Sequence, residues 1–280
     1  MCSYYTGEMG LSTPFPQILL AQREKLIYDG IITAKGTKKT MQHDFRAALF
    51  DLDGTLLPMD QDEFTKGYFK LLVKKLAPHG YEPEALIRAI WHGTGAMVKN
   101  DGCRSNEEVF WEDFARVLGP EALADKPLFE SFYANEFRQA QPLCGFAPQA
   151  AEVISLLRGA GIRTVLATNP IFPAVATDIR IRWAGLQPED FELITTYENI
   201  GYSKPNPDYY RELLRRLDLR AEDCIMVGND VDEDMIAAKL GMGVFLVTDC
   251  LINKSGQSVD QYPHGNFDGL IRFLKNRLSL

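Results

Sequence analysis

Apolar and polar positions along this 280-residue chain follow two different rhythms. Residues 46–50 form a short apolar run (Ala47, Ala48, Leu49, Phe50) that ends at an Asp-Gly turn. The run is too short for a helix that must bury itself, so it predicts a buried strand. From 59 to 141 no strand pattern appears, and apolar positions recur instead at helical spacing. One stripe covers 62–76 with Phe64, Tyr68, Leu71, Leu72 and Leu76. A second begins at Pro83, a residue suited to a first helical turn, and carries Leu86, Ile87, Ile90 and Trp91. A third opens on Ser105-Asn106-Glu107-Glu108, a capping-box pattern, ahead of Phe110, Trp111, Phe114 and Val117. A fourth covers 127–138 with Phe129, Phe132 and Phe137.

Beyond Ala147 the rhythm changes to alternation of helix and strand. Helices are predicted at 148–158, 173–183, 207–217 and 232–240, and strands at 162–167, 191–195, 224–227 and 243–247. A loop at 253–266 and a closing helix at 267–278 complete the chain. Such alternation implies βαβ units, a parallel sheet and helices on both faces. The fold class is α/β, a doubly wound parallel sheet with an inserted all-helical domain. The division is a core of 45–58 plus 142–280, a helical domain of 59–141, and an extension of 1–44 whose role the residues do not specify. In that extension Ile18, Leu19 and Leu26 line one face of a short helix, and a small basic run follows at 35–39.

Composition narrows the class. With 46% hydrophobic and 24% charged residues the chain can bury a full core. A net charge of −8 lacks the basic excess of a nucleic-acid surface, and no apolar run approaches membrane-spanning length. The five cysteines (Cys2, Cys103, Cys144, Cys224, Cys250) are scattered without a C-x-x-C pair, as expected of reduced thiols in the cytoplasm. Cys224 reads as a core residue. His43, His79, His92 and His264 show no metal-ligand spacing, which argues against zinc. Nothing here calls for a nucleic acid, a membrane or a second copy of the chain.

Candidate chemistry sits at predicted strand ends. Asp51 and Asp53 follow the first strand two residues apart, which points both side chains the same way. Open α/β sheets bind ligands at this end of their strands. Two such carboxylates repel unless a cation or a shared proton relieves them, which suits Mg²⁺, a cation of oxygen ligands. One could attack phosphorus while the other moves a proton. Gly54 permits a turn that a Cβ would resist. Taken alone, the pair is equally ordinary turn chemistry. Thr168-Asn169-Pro170 ends the second predicted strand of the α/β part, where the Thr168 hydroxyl and nearby amides could hold a phosphate oxygen; taken alone, a strand-to-helix cap is the better account of them. In Ser203-Lys204-Pro205-Asn206-Pro207 the prolines hold Lys204 in an extended loop, a setting that disfavours an ordinary exposed lysine and lets its ammonium offset the charge of phosphate and of Asp51. Asp230, Asp232, Glu233 and Asp234 follow the strand at 224–227. Asp230 is the candidate metal ligand, Asp234 an acid backing it one turn on, and Asp232 and Glu233 are read as solvated charges at a helix start.

In this order, Asp51-Leu52-Asp53-Gly54-Thr55, Thr168-Asn169, Lys204-Pro205 and Gly228-Asn229-Asp230…Asp234 resemble the four motifs of the haloacid dehalogenase superfamily. The resemblance spans 46 to about 248. A helical insert directly after the first motif is similar to the cap of its phosphoglycolate phosphatase-like and β-phosphoglucomutase-like branches. It implies Asp51 as nucleophile through an aspartyl-phosphate, and Asp53 as proton shuttle with its carbonyl on Mg²⁺. It further implies Thr168, Asn169 and Lys204 on the phosphoryl group, and Asp230 as metal ligand beside Asp51. Asn229 departs from the Gly of many relatives and is expected to alter the loop slightly. The function so implied is a Mg²⁺-dependent phosphatase acting on a small phosphorylated metabolite. A phosphomutase of the same fold and a non-catalytic phosphate-binding regulator are the alternatives. His79, Tyr81, His92, Lys99 and Arg104 are polar positions of the insert, each more in keeping with exposed surface than with specificity.

Overall fold

The computed structural model describes residues 44–280. The reading of a short helix around Ile18, Leu19 and Leu26 falls outside them. Strand β1 (Ala47–Phe50) leads into four helices: α1 (Gln61–Leu76), α2 (Pro83–Val98), α3 (Asn106–Leu118) and α4 (Lys126–Ala134). After these come α5 (Pro148–Gly159), β2 (Arg163–Leu166), α6 (Ala174–Trp183), β3 (Leu193–Ile194), α7 (Pro207–Leu217) and β4 (Cys224–Gly228). The chain closes with β5 (Gly243–Val247), β6 (His264–Gly265) and α8 (Phe267–Leu278). Among the described residues the six strands form one parallel sheet in the order β3-β2-β1-β4-β5-β6. The first strand lies at the centre, and the chain winds outward from it in both directions. That is the doubly wound arrangement, and its switch point falls between β1 and β4.

Period-two alternation builds two cores from the same strands. Ala48 and Phe50 of β1 face a large cluster with Ile225, Val227, Phe245 and the buried sides of α5 and α8. Ala47 and Leu49 face the opposite cluster with Val165, Met226 and Leu246, covered by Tyr209, Tyr210 and Leu213 of α7. All four β1 side chains are fully buried, which explains why that run reads as continuously apolar. Each large side chain buried this way contributes about 1.5–3 kcal/mol. Cys224 is buried in the second cluster, as its sequence context suggested.

The insert is helical throughout, and the Ser105 capping box forms as expected. Its third helix does more than stack. Asn106, the first residue of α3, is wholly buried and donates to the Pro170 carbonyl (3.1 Å) and to Ser203 Oγ (3.0 Å). The adjoining backbone donates to Ile200 and Tyr197 carbonyls. The insert is thereby tied to the loops that carry Thr168 and Lys204.

Four expectations change. The fourth helix stops at Ala134 and gives way to a 3₁₀ segment, Glu136–Leu143. There Asn135 Nδ2 takes the Ser131 carbonyl (2.8 Å), a side-chain bond that competes with helix continuation, and Pro142 lies within the following segment. Trp91 is 54% exposed, because Leu86, Ala89, Ile90, Gly93 and Met97 make the buried face of α2. The helix expected at 232–240 is a turn followed by a short 3₁₀ stretch, Met235–Leu240. The loop expected at 253–266 contains β6, which pairs with β5 and extends the sheet.

Candidate active site

Three adjacent strands deliver the site. Asp51 follows β1, Thr168 lies two residues past β2, and Asp230 two residues past β4. The Asp51 amide still donates to the Val227 carbonyl (2.9 Å), so the nucleophile candidate is held by the sheet itself. The chain then reverses tightly, with the Gly54 and Leu57 amides donating to the Leu57 and Leu52 carbonyls. Gly54 has φ = 85°, and a Cβ there would also collide with the Asn229 side chain. Asn229 is a structural pin. It accepts from Thr55 Oγ1 (2.9 Å) and donates to the Cys250 carbonyl (2.7 Å), joining the loops after β1, β4 and β5. This is how the departure at position 229 acts on the loop.

Lys204 reaches the same point from the loop before α7. It is buried to 1% exposure, and its Nζ donates to Asp51 Oδ1 (2.9 Å) and Asp234 Oδ1 (2.6 Å). Burial alone would lower its pKa. The Asp234 and Asp51 charges outweigh that and hold it well above the ordinary lysine value, so the group stays an ammonium. Asp234 therefore orients Lys204 directly, while its Oδ2 accepts the Asp230 amide (3.0 Å). Gly228 makes room for it, since a Cβ there would meet the Asp234 carboxylate.

One pocket of about 140 Å³ is lined by Asp51, Asp53, Thr168, Asn169, Asp230, Glu233 and Asp234, with residues from α1 over it. The candidate site residues thus converge, Lys204 standing behind Asp51. Asn169 differs from its assignment. Its side chain accepts the Lys204 amide (3.3 Å) and donates to Glu233 Oε2 (3.0 Å), so it shapes the loops as well as lining the pocket. Glu233, read from sequence as a solvated charge, turns inward; burial, only partly offset by Lys204, pushes its carboxyl up to about 8. Asp232 does point away, accepting from Ser255 and Gln257.

The chain belongs to the haloacid dehalogenase-like hydrolase family. The description of that family matches residues 45–241, most of the chain. A phosphoglycolate phosphatase of Colwellia psychrerythraea is 27% identical over 194 residues, covering 68% of this chain and 78% of its own. Protein CbbY of Cereibacter sphaeroides is 31% identical over 195 residues, covering 66% and 76%. Among solved structures, a 2-haloacid dehalogenase from Pseudomonas syringae pv. Tomato superposes with a TM-score of 0.54 at 19% identity, covering 83% of this chain and 99% of that one. At that identity the likeness speaks for the fold.

This hydrolase holds one charged residue in the site that sequence reasoning missed. Arg180 of α6 is wholly buried, pairs with Asp53 Oδ2, and stacks its guanidinium 4.3 Å from the centre of the Phe172 ring. Burial raises the Asp53 pKa, Arg180 pulls it down, and the Asp51 charge raises it again; the net direction is upward. Asp53 Oδ1 is buried with no partner among the described residues. A signal for Arg180 was present in the sequence. The run Ile179-Arg180-Ile181-Arg182 has no single apolar stripe, and a helix buried nearly all round must take some polar side chains inside.

Five carboxylates around one pocket, against two buried cations, favour a further cation. Burial raises Asp230 as well, against two backbone N–H groups that hold its Oδ1, which is the setting of an acid awaiting a positive charge. The Asp51 and Asp230 carboxylates and the Asp53 carbonyl are oxygen donors of the kind that would suit Mg²⁺. No cluster of three or more His, Cys, Asp or Glu side chains arranged as metal ligands occurs among the described residues, so water would complete the coordination.

Proposed function

We propose that this enzyme, a phosphatase, hydrolyses a small phosphorylated metabolite through an aspartyl-phosphate on Asp51, with Mg²⁺ held by Asp51, Asp230 and the Asp53 carbonyl. The observation that carries the reading is the convergence of Asp51, Lys204, Thr168 and Asp230 at the ends of neighbouring strands, around an acidic pocket. Mg²⁺ would supply charge neutralisation that lets a phosphate approach so many carboxylates. The Asp51 carboxylate forms a bond to phosphorus as the ester P–O bond breaks. Asp53, its pKa raised by burial against the pull of Arg180, gives a proton to the leaving oxygen. Asp53 then takes a proton from water as that water displaces Asp51 from phosphorus, restoring both aspartates. The Thr168 hydroxyl steadies a phosphoryl oxygen, Lys204 offsets the phosphoryl charge from behind Asp51, and Asn169 sets the loop beneath them. Residues 59–141 act as a cap domain on the core of 45–58 plus 142–280, and the reduced cysteines suit the cytoplasm. No helix among the described residues is long and apolar enough to cross a membrane.

The test is phosphate release from acetyl phosphate and an aryl phosphate with Mg²⁺ or chelator, together with acid trapping of labelled enzyme. Wild type should release phosphate only with Mg²⁺ and trap label. Asp51→Asn should do neither. Label retained by Asp51→Asn would overturn the assignment of the nucleophile.

A further inference from the structure

An aromatic chamber opens beside the acidic pocket and shares Thr65, Ile171 and Phe172 with it. Its volume is about 90 Å³. Tyr68, Phe69, Trp111, Phe129 and Tyr133 are among the aromatic side chains of its wall, to which α1, α2, α3 and α4 all contribute. No charged side chain lines it. The Tyr68 and Tyr133 hydroxyls in its wall bond to each other at 2.7 Å, and the one buried donor of the wall without a partner among the described residues is Trp111 Nε1.

The charges around the neighbouring pocket are equally one-sided. Every ionisable side chain lining it is a carboxylate. Lys204 and Arg180 lie fully buried behind Asp51 and Asp53, already paired. The insert's polar positions look elsewhere. His92 and Lys99 line an open groove on the outer side of α2, Arg104 pairs with Glu112, and Tyr81 donates to Asp125. Among the described residues, then, no basic side chain lines either the acidic pocket or the chamber to pair with a second anion on the substrate. An ionised group taken from water into the chamber would lose its hydration without a partner, a far larger penalty than burying an apolar group. An apolar group there gains instead; an apolar cavity of about 150 Å³ takes up a whole benzene ring, so a space of about 90 Å³ suits a short branched chain or part of a ring.

We infer that the alcohol esterified to phosphate is small, uncharged and apolar, a branched alkyl chain or a single ring seated in the chamber of Tyr68, Phe69, Trp111, Phe129 and Tyr133, and that substrates bearing a second anion are rejected. This rests on the phosphatase reading above and adds the class of leaving group. The shared wall of Thr65, Ile171 and Phe172 is where the carbon next to the ester oxygen passes between the two spaces.

Benzyl phosphate, isobutyl phosphate and 2-phosphoglycolate all leave as alkoxides, so differences among them report the fit of the leaving group. Acetyl phosphate, small and reactive, reports the phosphoryl chemistry alone. With Mg²⁺ present, kcat/KM for benzyl or isobutyl phosphate should exceed that for 2-phosphoglycolate by on the order of 100-fold. If acetyl phosphate is hydrolysed but 2-phosphoglycolate equals or beats both apolar esters, the chamber is not the leaving-group site and the inference falls by itself. If acetyl phosphate is not hydrolysed either, the phosphatase reading fails first and takes the inference with it.

Discussion

Replacing Lys204 by methionine exposes the central electrostatic device of the site. The side chain is fully buried, so methionine occupies nearly the same volume without the charge. Two contacts vanish, at 2.9 Å to Asp51 and 2.6 Å to Asp234, and two carboxylates are left without the cation between them. Breaking a buried pair by removing one partner typically costs about 3–5 kcal/mol. Asp234, which burial already pushes upward in the wild type, can escape its charge by taking a proton, and that relief holds the loss toward the lower end of the range. Lys204→Met should therefore lose about 3 kcal/mol in urea unfolding at pH 7 with chelator present. Adding Asp234→Asn to it should restore part of that loss, because the amide removes one of the stranded charges. A loss below about 1 kcal/mol for Lys204→Met, or a double variant less stable than the single one, would refute the picture of one ammonium shared by two buried carboxylates.

Three further outcomes follow from the same structure. Arg180→Met strands Asp53 and should cost about 3–5 kcal/mol in urea unfolding, with Arg180→Lys between it and wild type because it keeps the charge but loses the planar contact with Phe172; equal midpoints for all three would mean the Asp53 pair does not form. Asp230→Asn should raise the Mg²⁺ concentration needed for half-maximal phosphate release at least ~10-fold, while Asp232→Asn, whose carboxylate bonds to Ser255 and Gln257, should leave it unchanged; the reverse order would show that the wrong ligand is assigned. On α7, hydrogen bonds from Arg215 and then Arg216 draw Glu212 down to about 2, outweighing its partial burial. A depressed carboxylate stabilises above its unfolded pKa and loses that contribution as pH falls through its folded one. Glu212→Gln should thus cost about 1 kcal/mol at pH 7, the arginines being exposed, with the difference from wild type closing between about pH 4.5 and 2; a gap that stays constant across that window would remove the ion pair as its cause.

Most of the fold was legible in the order of residues, because local physics sets it. A run buried on both faces, as in β1, must be apolar at every position, and an amphipathic helix such as α1 must repeat its apolar residues every three or four. The strand ends were legible for the same reason, so Asp51, Thr168 and Asp230 could be placed at one edge of a sheet from sequence alone. Where elements rested on side-chain competition the reading slipped. Asn135 ended α4 early by bonding to Ser131, and Asp230 and Asp234 turned a stretch of helix pattern into a capped turn.

What the sequence by itself determined is the sheet, the helical insert and the order of the acidic, hydroxyl and lysine motifs along successive strands. Tertiary structure alone decided which charges meet. Arg180 sits 127 positions from Asp53, and Lys204 bridges Asp51 and Asp234 across 153 and 30 positions. Glu233 turned inward for the same reason, held by Asn169 from another loop. Periodicity reports how each residue faces its own element, whereas pairing between charges depends on loops brought together by the packing of the whole. The aromatic chamber is of that second kind. Its residues read along the chain as ordinary helical core, and only the packing of α1, α2, α3 and α4 leaves a space among them that shares Thr65, Ile171 and Phe172 with the pocket of Asp51.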